Sequence, residues 1–460
     1  MGDDTLNNDL EPVANAEQKN HDGVITVVLT ADNHLGYTGF GQHPQKREER
    51  QQRLRHAFQQ AADFAIAQGV DLFIQAGDLF DTTTPAERDR SFVASCLAQL
   101  KQAGIQTFAL GGVHDTPTTS QTLSGADIPA PQMSYARLGA LHYFPPLPQN
   151  EKQQLEPVIV DVRGTKVGLC GLGILAGQVG DPLHDLDIRV SLEIERAAIP
   201  ILVLHAPIEG LTVGSSLLDT RALVTRESIR KQPFFRFICT GYHHNHHYFH
   251  VGQTDVVVAG ATQYVDFSTP DQAPGFVFLG LDASGVRWCN HISVDALSMH
   301  RLVIQTSSLW RASSSTGDVH TDEKLNQNQK HAQNAQNPPD PTEAILERLR
   351  PLCNNDAMIQ LCLEGELTRS AYHQLDLNQI RRYGEEHCFA LAIDDSALSL
   401  LPEEQQETLS PELDERFSLR EELAALADEL IAEARDAHEQ QALRFTKEEL
   451  FLAIDEAKQK

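Results

Sequence analysis

From Val24 the chain alternates between two kinds of pattern. A β-branched apolar run reaches Thr30, an amphipathic stretch follows (Gln45 to Gln68), then a second apolar run (Val70 to Gln75), a second amphipathic stretch (Glu87 to Ala103) and a third run (Ile105 to Leu110). Short continuous apolar runs separated by helical periodicity predict a βαβαβ unit whose strands are covered on both faces. From Pro157 to Asp282 strands outnumber helices: Val158 to Val162, Lys166 to Leu172, Ile201 to His205, Phe234 to Thr240, Asp255 to Gly260 and Phe276 to Leu281. Burying both sets calls for an α/β fold of two stacked mixed sheets flanked by helices. Trp288 to Val294 and Arg301 to Gln305 read as the strands that close this domain.

The pattern changes beyond Trp310, a residue suited to anchoring the end of the first domain. Residues 311–341 nearly lack large apolar side chains and cannot offset their ordering entropy, so a flexible linker is expected there. Residues 342–405 return to alternating helix and strand, with Ile345 to Leu349, Ala357 to Leu363 and Phe389 to Ile393 as the apolar stretches of a small α/β domain. Residues 406–460 repeat Leu and Ala at helical spacing among many charges, which predicts a helical tail. Residues 1–22, acidic and Asn-rich, are expected to be disordered, leaving 23–310 as the first domain.

Composition narrows the function classes. The 460 residues exceed one ordinary core, and 41% hydrophobic residues suffice to build several. No apolar run reaches the ~18 residues of a membrane span, and no apolar stretch follows a positively charged start. A cytoplasmic protein without a membrane role is therefore expected. Seven cysteines, scattered and never spaced CxxC, argue against a disulfide framework or zinc ribbon. A formal charge of -27 disfavours nucleic-acid binding by a global field, so any DNA contact must be local.

Five short elements sit at the ends of the predicted strands, where an α/β sheet carries its functional loops. They are Asp32-Asn33-His34-Leu35-Gly36, Gly77-Asp78-Leu79-Phe80-Asp81, Gly112-Val113-His114-Asp115, His205, and Gly241-Tyr242-His243-His244 followed by Asn245-His246-His247. Each alone is weak, because a strand-end Asp is usually an N-cap or turn residue. Together, Asp and His in separate segments that a sheet gathers are what a divalent cation site requires. Carboxylates supply charge and can bridge two ions, while imidazoles supply directed neutral nitrogen.

The order DxH, GDxxD, GNHD, H, GHxH resembles the calcineurin-like metallophosphoesterases, and the forms DNHLG and GDLFD look like their SbcD branch, which acts on DNA ends. Gly260 to Ser268, Pro274 to Phe278 and the stretch near Ile359 to Gly365 are similar to that branch too, the last to its DNA-capping domain. The resemblance implies a manganese-dependent nuclease or DNA-end-processing subunit using one or two ions, with magnesium, iron or zinc as alternatives. Carried over, Asp32, His34, Asp78 and His244 hold the first metal, with Asp78 bridging to a second that His205 also binds. His114 lies near the scissile phosphate, with Asp115 to orient it. The implied partners are DNA and an SbcC-like ATPase docking on the tail. Amphipathicity there fits a homodimer contact or packing on its own domain equally well.

Two positions depart from the pattern. Val113 stands where the family has the Asn of GNHD, and Tyr242 where it has the first His of GHxH, both being ligands of the second metal in the family. Valine cannot ligate, and a neutral tyrosine of pKa roughly 10 is a poor ligand. Either His243, His246, His247 or Asp115 rebuilds the second site, or it is weakened or lost. The basic segment Lys46, Arg47, Arg50, Arg53 and Arg55 could touch a DNA backbone, although the interspersed Glu48 and Glu49 favour a solvated face with ion pairs. Rival readings are a noncatalytic scaffold or DNA-binding subunit and a small-molecule or nucleotide phosphoesterase.

Overall fold

The computed structural model describes residues 23–39, 44–117, 129–145, 155–184, 197–211, 221–232, 234–267, 272–309 and 340–401. The expected disordered N-terminus, most of the linker, Trp310 and the helical tail lie outside these residues.

In chain order the first half comprises β1 (Ile25–Thr30), α1 (Pro44–Gln68), β2 (Leu72–Ala76), α2 (Glu87–Gln102), β3 (Gln106–Leu110), α3 (Gln132–Arg137) and β4 (His142–Phe144). There follow β5 (Val158–Val162), β6 (Thr165–Gly173), β7 (Val179–Gly180), β8 (Ile199–His205), β9 (Arg221–Ala222), α4 (Arg226–Arg230), β10 (Phe237–Gly241), β11 (His247–Val251), β12 (Thr254–Val258), β13 (Gly275–Asp282) and β14 (Gly285–Ser293). One sheet has the order β14-β13-β1-β2-β3-β4 and the other β11-β12-β10-β8-β6-β5. Strands β1 to β4 pair in parallel, as do β12, β10, β8 and β6. The outer strands β13, β14, β11 and β5 run antiparallel to their neighbours.

Period-two alternation explains why the central strands read as unbroken apolar runs. From β1 and β2, Val27, Leu29, Leu72 and Ile74 face the second sheet and meet Ile201, Val203 and Cys239 from β8 and β10. The intervening Val28 and Phe73 face outward into a layer with Leu54, Phe58 and Ala61 of α1 and Val93 and Leu97 of α2. Beyond the second sheet, Leu202, Leu204, Ile238 and Val256 pack with Ile229 of α4. Each such Val, Leu, Ile or Phe contributes about 1.5–3 kcal/mol on burial. These apolar layers fix the separation of the sheets, and with it the distance between the loops at their ends.

The second module contains β15 (Ser298–Gln305), α5 (Pro341–Leu349), β16 (Ala357–Thr368), α6 (Arg369–His373), α7 (Leu377–His387), β17 (Ala390–Asp394) and β18 (Leu398–Leu401). Asp340 caps α5 by accepting from the Thr342 N–H, with Pro341 in the first turn. Strand β15 corrects an expectation: it does not close a sheet of the first domain but pairs in parallel with β16, Ser298 to Gln305 against Ala357 to Glu364. Its Ile304 completes a core with Ile345, Leu346, Leu349, Ile359 and Leu361. The chain thus enters the second module before the linker. Met299, Met358 and Phe389 of this module pack against Tyr264 and Phe267, which belong to the loop after β12.

Candidate metal centre

Parallel pairing gathers the C-terminal ends of β1, β2, β3, β8 and β10, and all five sequence motifs sit at or just beyond those ends. The loops after β1 and β2 are zipped by backbone bonds: Asp32 N–H to Gly77 O at 3.0 Å, His34 N–H to Asp78 O at 3.1 Å, and Asp81 N–H to Leu35 O at 3.1 Å. Asp32, His34, Asp78 and Tyr242 hold positive φ of 48°, 45°, 52° and 80°. Side chains other than glycine rarely occupy that region, and such strain concentrates at functional sites. Two glycines permit the close approach. A Cβ on Gly77 would lie 2.2 Å from the His205 ring, and one on Gly112 would lie 2.1 Å from the Asp78 carboxylate.

Ligand atoms of Asp32, His34 and His244 lie within 4.8 Å of one another, as do those of Asp32, Asp78 and His205. His34 turns Nδ1 to Asp81 Oδ1 at 3.1 Å, and His244 turns Nδ1 to Asp266 Oδ2 at 3.4 Å. The Nε2 atoms of both rings are buried without a hydrogen-bond partner. Buried orphan nitrogens are costly, and a histidine backed by a carboxylate on one nitrogen with the other left free is how metal-ligating imidazoles are held. The donor set therefore fits a divalent cation at Asp32, His34 and His244, with Asp78 beside Asp32.

Electrostatics concentrate here. Burial raises the Asp32 carboxyl, against the opposing pull of His205 and His244. Burial also acts to raise Asp78, but the charge and hydrogen bond of His205 hold it well below the usual carboxylate range. His205 is disfavoured as a cation by burial, yet Asp78 pushes it up to about 9. Its Nε2 lies 3.2 Å from Asp78 Oδ2 and its Nδ1 2.8 Å from Ala76 O. Burial likewise opposes charge on His34, and the hydrogen bond to Asp81 outweighs it with help from Asp78 and Asp32.

His114 is the partly exposed histidine of the group, its side chain 22% accessible. Its backbone N–H donates to Asp78 Oδ1 at 2.8 Å, and its Nδ1 lies 3.7 Å from Asp81 Oδ1. Burial lowers its pKa and favours the neutral ring. The orienting role expected of Asp115 is corrected. Its carboxylate accepts from Gly112 N–H at 2.8 Å, Phe80 N–H at 3.2 Å and the Gln132 side-chain amide, so it braces the two loops. Burial and the charge of Asp78 push Asp115 up to about 7. Asp81 is the carboxylate next to His114.

Of the candidates for a rebuilt second position, Asp115, His243 and His246 are engaged elsewhere. His243 Nε2 accepts from Ile208 N–H at 2.9 Å. His246 Nδ1 donates to Val258 O at 2.7 Å and its ring stacks on His291 at 5.0 Å. His247 begins β11, opposite Val258. Val113 and Tyr242 are buried in one apolar cluster with Leu172, Leu204 and Ile208. Burial raises the Tyr242 phenol further above its ordinary value.

The basic segment of α1 is structural at its inner positions. Arg50 is fully buried, donating to Gln263 Oε1 at 3.3 Å and to Tyr264 O, while Arg55 pairs with Asp89 at 2.7 Å. Lys46 donates to Cys388 O at 2.8 Å, and Arg53 pairs with Glu49 and with Asp356 of the second module. The backing carboxylates Asp81 and Asp266 had no assigned role in sequence. Asp81 closes the Gly77–Asp81 motif and Asp266 lies in the Gly260–Ser268 stretch, but only their contacts with His34 and His244 show which histidine each one backs.

Residues 25–222 match the calcineurin-like phosphoesterase family. Over shorter stretches it is similar to archaeal proteins named DNA double-strand break repair protein Mre11. The relative from Methanosarcina mazei is 34% identical over 102 residues, 22% of this chain and 16% of that protein. The one from Thermoplasma acidophilum is 34% identical over 87 residues, 19% of this chain and 22% of that protein. The alignments thus span less than a quarter of these relatives' length. Among solved structures, a dimetal phosphatase from Danio rerio aligns over 59% of this chain and all of its own, at 11% identity and a TM-score of 0.33. No helix among the described residues is long and apolar enough to cross a membrane.

Proposed function

We propose that this protein is a metal-dependent phosphodiesterase acting on DNA ends in double-strand-break repair. The observation that carries the reading is the pair of carboxylate-backed histidines, His34 and His244, whose buried Nε2 atoms converge beside Asp32. The similarity to proteins named for double-strand break repair supports DNA as the substrate class. Manganese is the proposed ion, held by Asp32, His34, Asp78 and His244. A bound divalent cation supplies Lewis acidity toward a phosphoryl oxygen and makes water a stronger nucleophile at neutral pH.

The chain's own groups do the rest. The N–H of His114 holds Asp78, and the partly exposed His114 ring, 3.7 Å from Asp81, is placed to hydrogen-bond a phosphodiester oxygen; in its protonated form it would pass one proton to the leaving oxygen and return to the neutral ring that burial favours. Asp115 keeps the loop carrying His114 seated on the loop carrying Asp78. The second module serves as a DNA-capping domain, and residues 406–460 dock a cytoplasmic SbcC-like ATPase. A noncatalytic DNA-binding role is the second reading, favoured by the burial of Val113 and Tyr242 in the core.

The test is cleavage of a linear DNA duplex by the purified protein with manganese, beside an Asp78→Asn variant and a panel of chromogenic phosphate esters. Duplex cleavage abolished by Asp78→Asn is the expected result. Turnover of the esters without DNA cleavage would replace DNA with a small substrate. Inertness toward both, persisting with the ATPase partner present, would leave the noncatalytic reading.

A further inference from the structure

The family pattern supplies two cation positions, and this chain supplies donors for them unequally. At the second position Asp78 and His205 remain, but the other two contributors are Val113, which has no donor atom, and Tyr242, a buried phenol. What surrounds these residues matters more than their identity. Val113 and Tyr242 share one apolar cluster, and the Tyr242 ring lies edge-on to His205 with centroids 5.5 Å apart. The Asp32 carboxylate, the nearest spare ligand, already takes the Tyr242 N–H on its two oxygens at 3.2 and 3.0 Å. Asp78 Oδ1 takes the His114 N–H. Neither His243 nor Asp115 is free to turn inward, because each holds backbone N–H groups that would be left buried and unpaired.

We propose that this chain holds a single divalent cation, at Asp32, Asp78, His34 and His244, and that Val113 and Tyr242 close the second position by packing protein where the family binds an ion. The inference deepens the metal-dependent reading above and rests on it. The loss lies in two side chains only. The backbone at position 242 still donates to Asp32, and the loop of Gly112 and His114 still approaches Asp78, so the frame of a second position persists. Returning the side chains should therefore return the ion.

The experiment is manganese titration of the full chain after chelator treatment, by calorimetry and electron paramagnetic resonance. It compares the unaltered protein with Val113→Asn/Tyr242→His, with thermal melting to show that the variant is folded. The expected result is one equivalent per chain with the spectrum of an isolated ion. The folded double variant should take two equivalents and show exchange coupling between neighbouring ions. Two equivalents in the unaltered protein would overturn the single-ion inference while leaving the metal-dependent reading intact. A ferric form with a tyrosinate charge-transfer band that Tyr242→Phe removes would overturn it as well, by making Tyr242 a ligand. No bound ion at all would instead sink the metal-dependent reading. If the double variant melts early, the stoichiometry of the unaltered protein decides alone.

Discussion

The two halves of the metal centre share a backbone plan and differ in what stands behind the side chains. On one side, His34 and His244 each carry a carboxylate on Nδ1 and present a bare Nε2. On the other, His205 directs its two nitrogens at Ala76 O and Asp78 and lies edge-on to the buried Tyr242, which shares an apolar cluster with Val113. Strands alone do not make a site. Both halves have parallel strand ends and strained positive φ, at Asp32, His34 and Asp78 and again at Tyr242. What distinguishes them is whether a polar group orients each donor while leaving its ligating atom unpaired.

The largest effects should come from the well-supported half. Replacing His34 by Ala removes a ligand outright, and manganese binding should vanish at concentrations that saturate the unaltered protein. Asp266→Asn keeps every ligand and alters only the support of His244, so affinity should fall by about 10–100-fold. Calorimetric titration checks both. An Asp266→Asn protein with unaltered affinity would mean that the 3.4 Å approach to His244 does not orient the ring, and the contrast between the halves would lose its basis.

This contrast also marks what the sequence could reveal. The five motifs were legible because ligand chemistry restricts residue type, and continuous apolar runs announced strands buried on two faces. The stretch that holds Asp266 was legible but its pairing with His244 was not, because an aspartate's partner is set by tertiary approach rather than spacing. Asp81 lies within its motif, yet its bond to His34 spans 47 positions and needs the zipped loops to exist. Asp115, expected to orient His114, meets the same limit: the turn sends its carboxylate back to Gly112 and across to Phe80. Strand β15 was placed in the wrong sheet because a strand's pattern gives its faces and not its neighbour.

A middle-sized effect tests whether the extra histidines belong to the scaffold. Burial and the nearby His291 lower His246 to about 4, and burial lowers His291. A histidine whose folded pKa lies below its unfolded value of roughly 6.5 contributes stability present above that pH and lost as pH falls, because unfolding then takes up a proton. With chelator present, thermal stability should decline from pH 7 toward pH 4, with His246 contributing on the order of 3 kcal/mol. Replacing His246 by Asn should flatten that slope while leaving manganese stoichiometry unchanged. A slope unaltered by the substitution would show that the ring titrates freely and is not part of the packed scaffold.

The smallest expected effect is the sharpest on the poorly supported half. Tyr242→Phe removes one oxygen and keeps the ring that belongs to the same apolar cluster as Val113 and lies edge-on to His205. The backbone N–H that holds Asp32 is unaffected. If the phenol is only packing, manganese affinity should stay within about two-fold, equivalent to less than ~0.5 kcal/mol. The change in melting free energy should stay below about 1 kcal/mol. A tenfold loss of affinity would be the signature of an oxygen ligand, since that factor corresponds to about 1.4 kcal/mol. It would move Tyr242 from the core into the coordination sphere, and the difference between the two halves would then be one of ligand type rather than of presence.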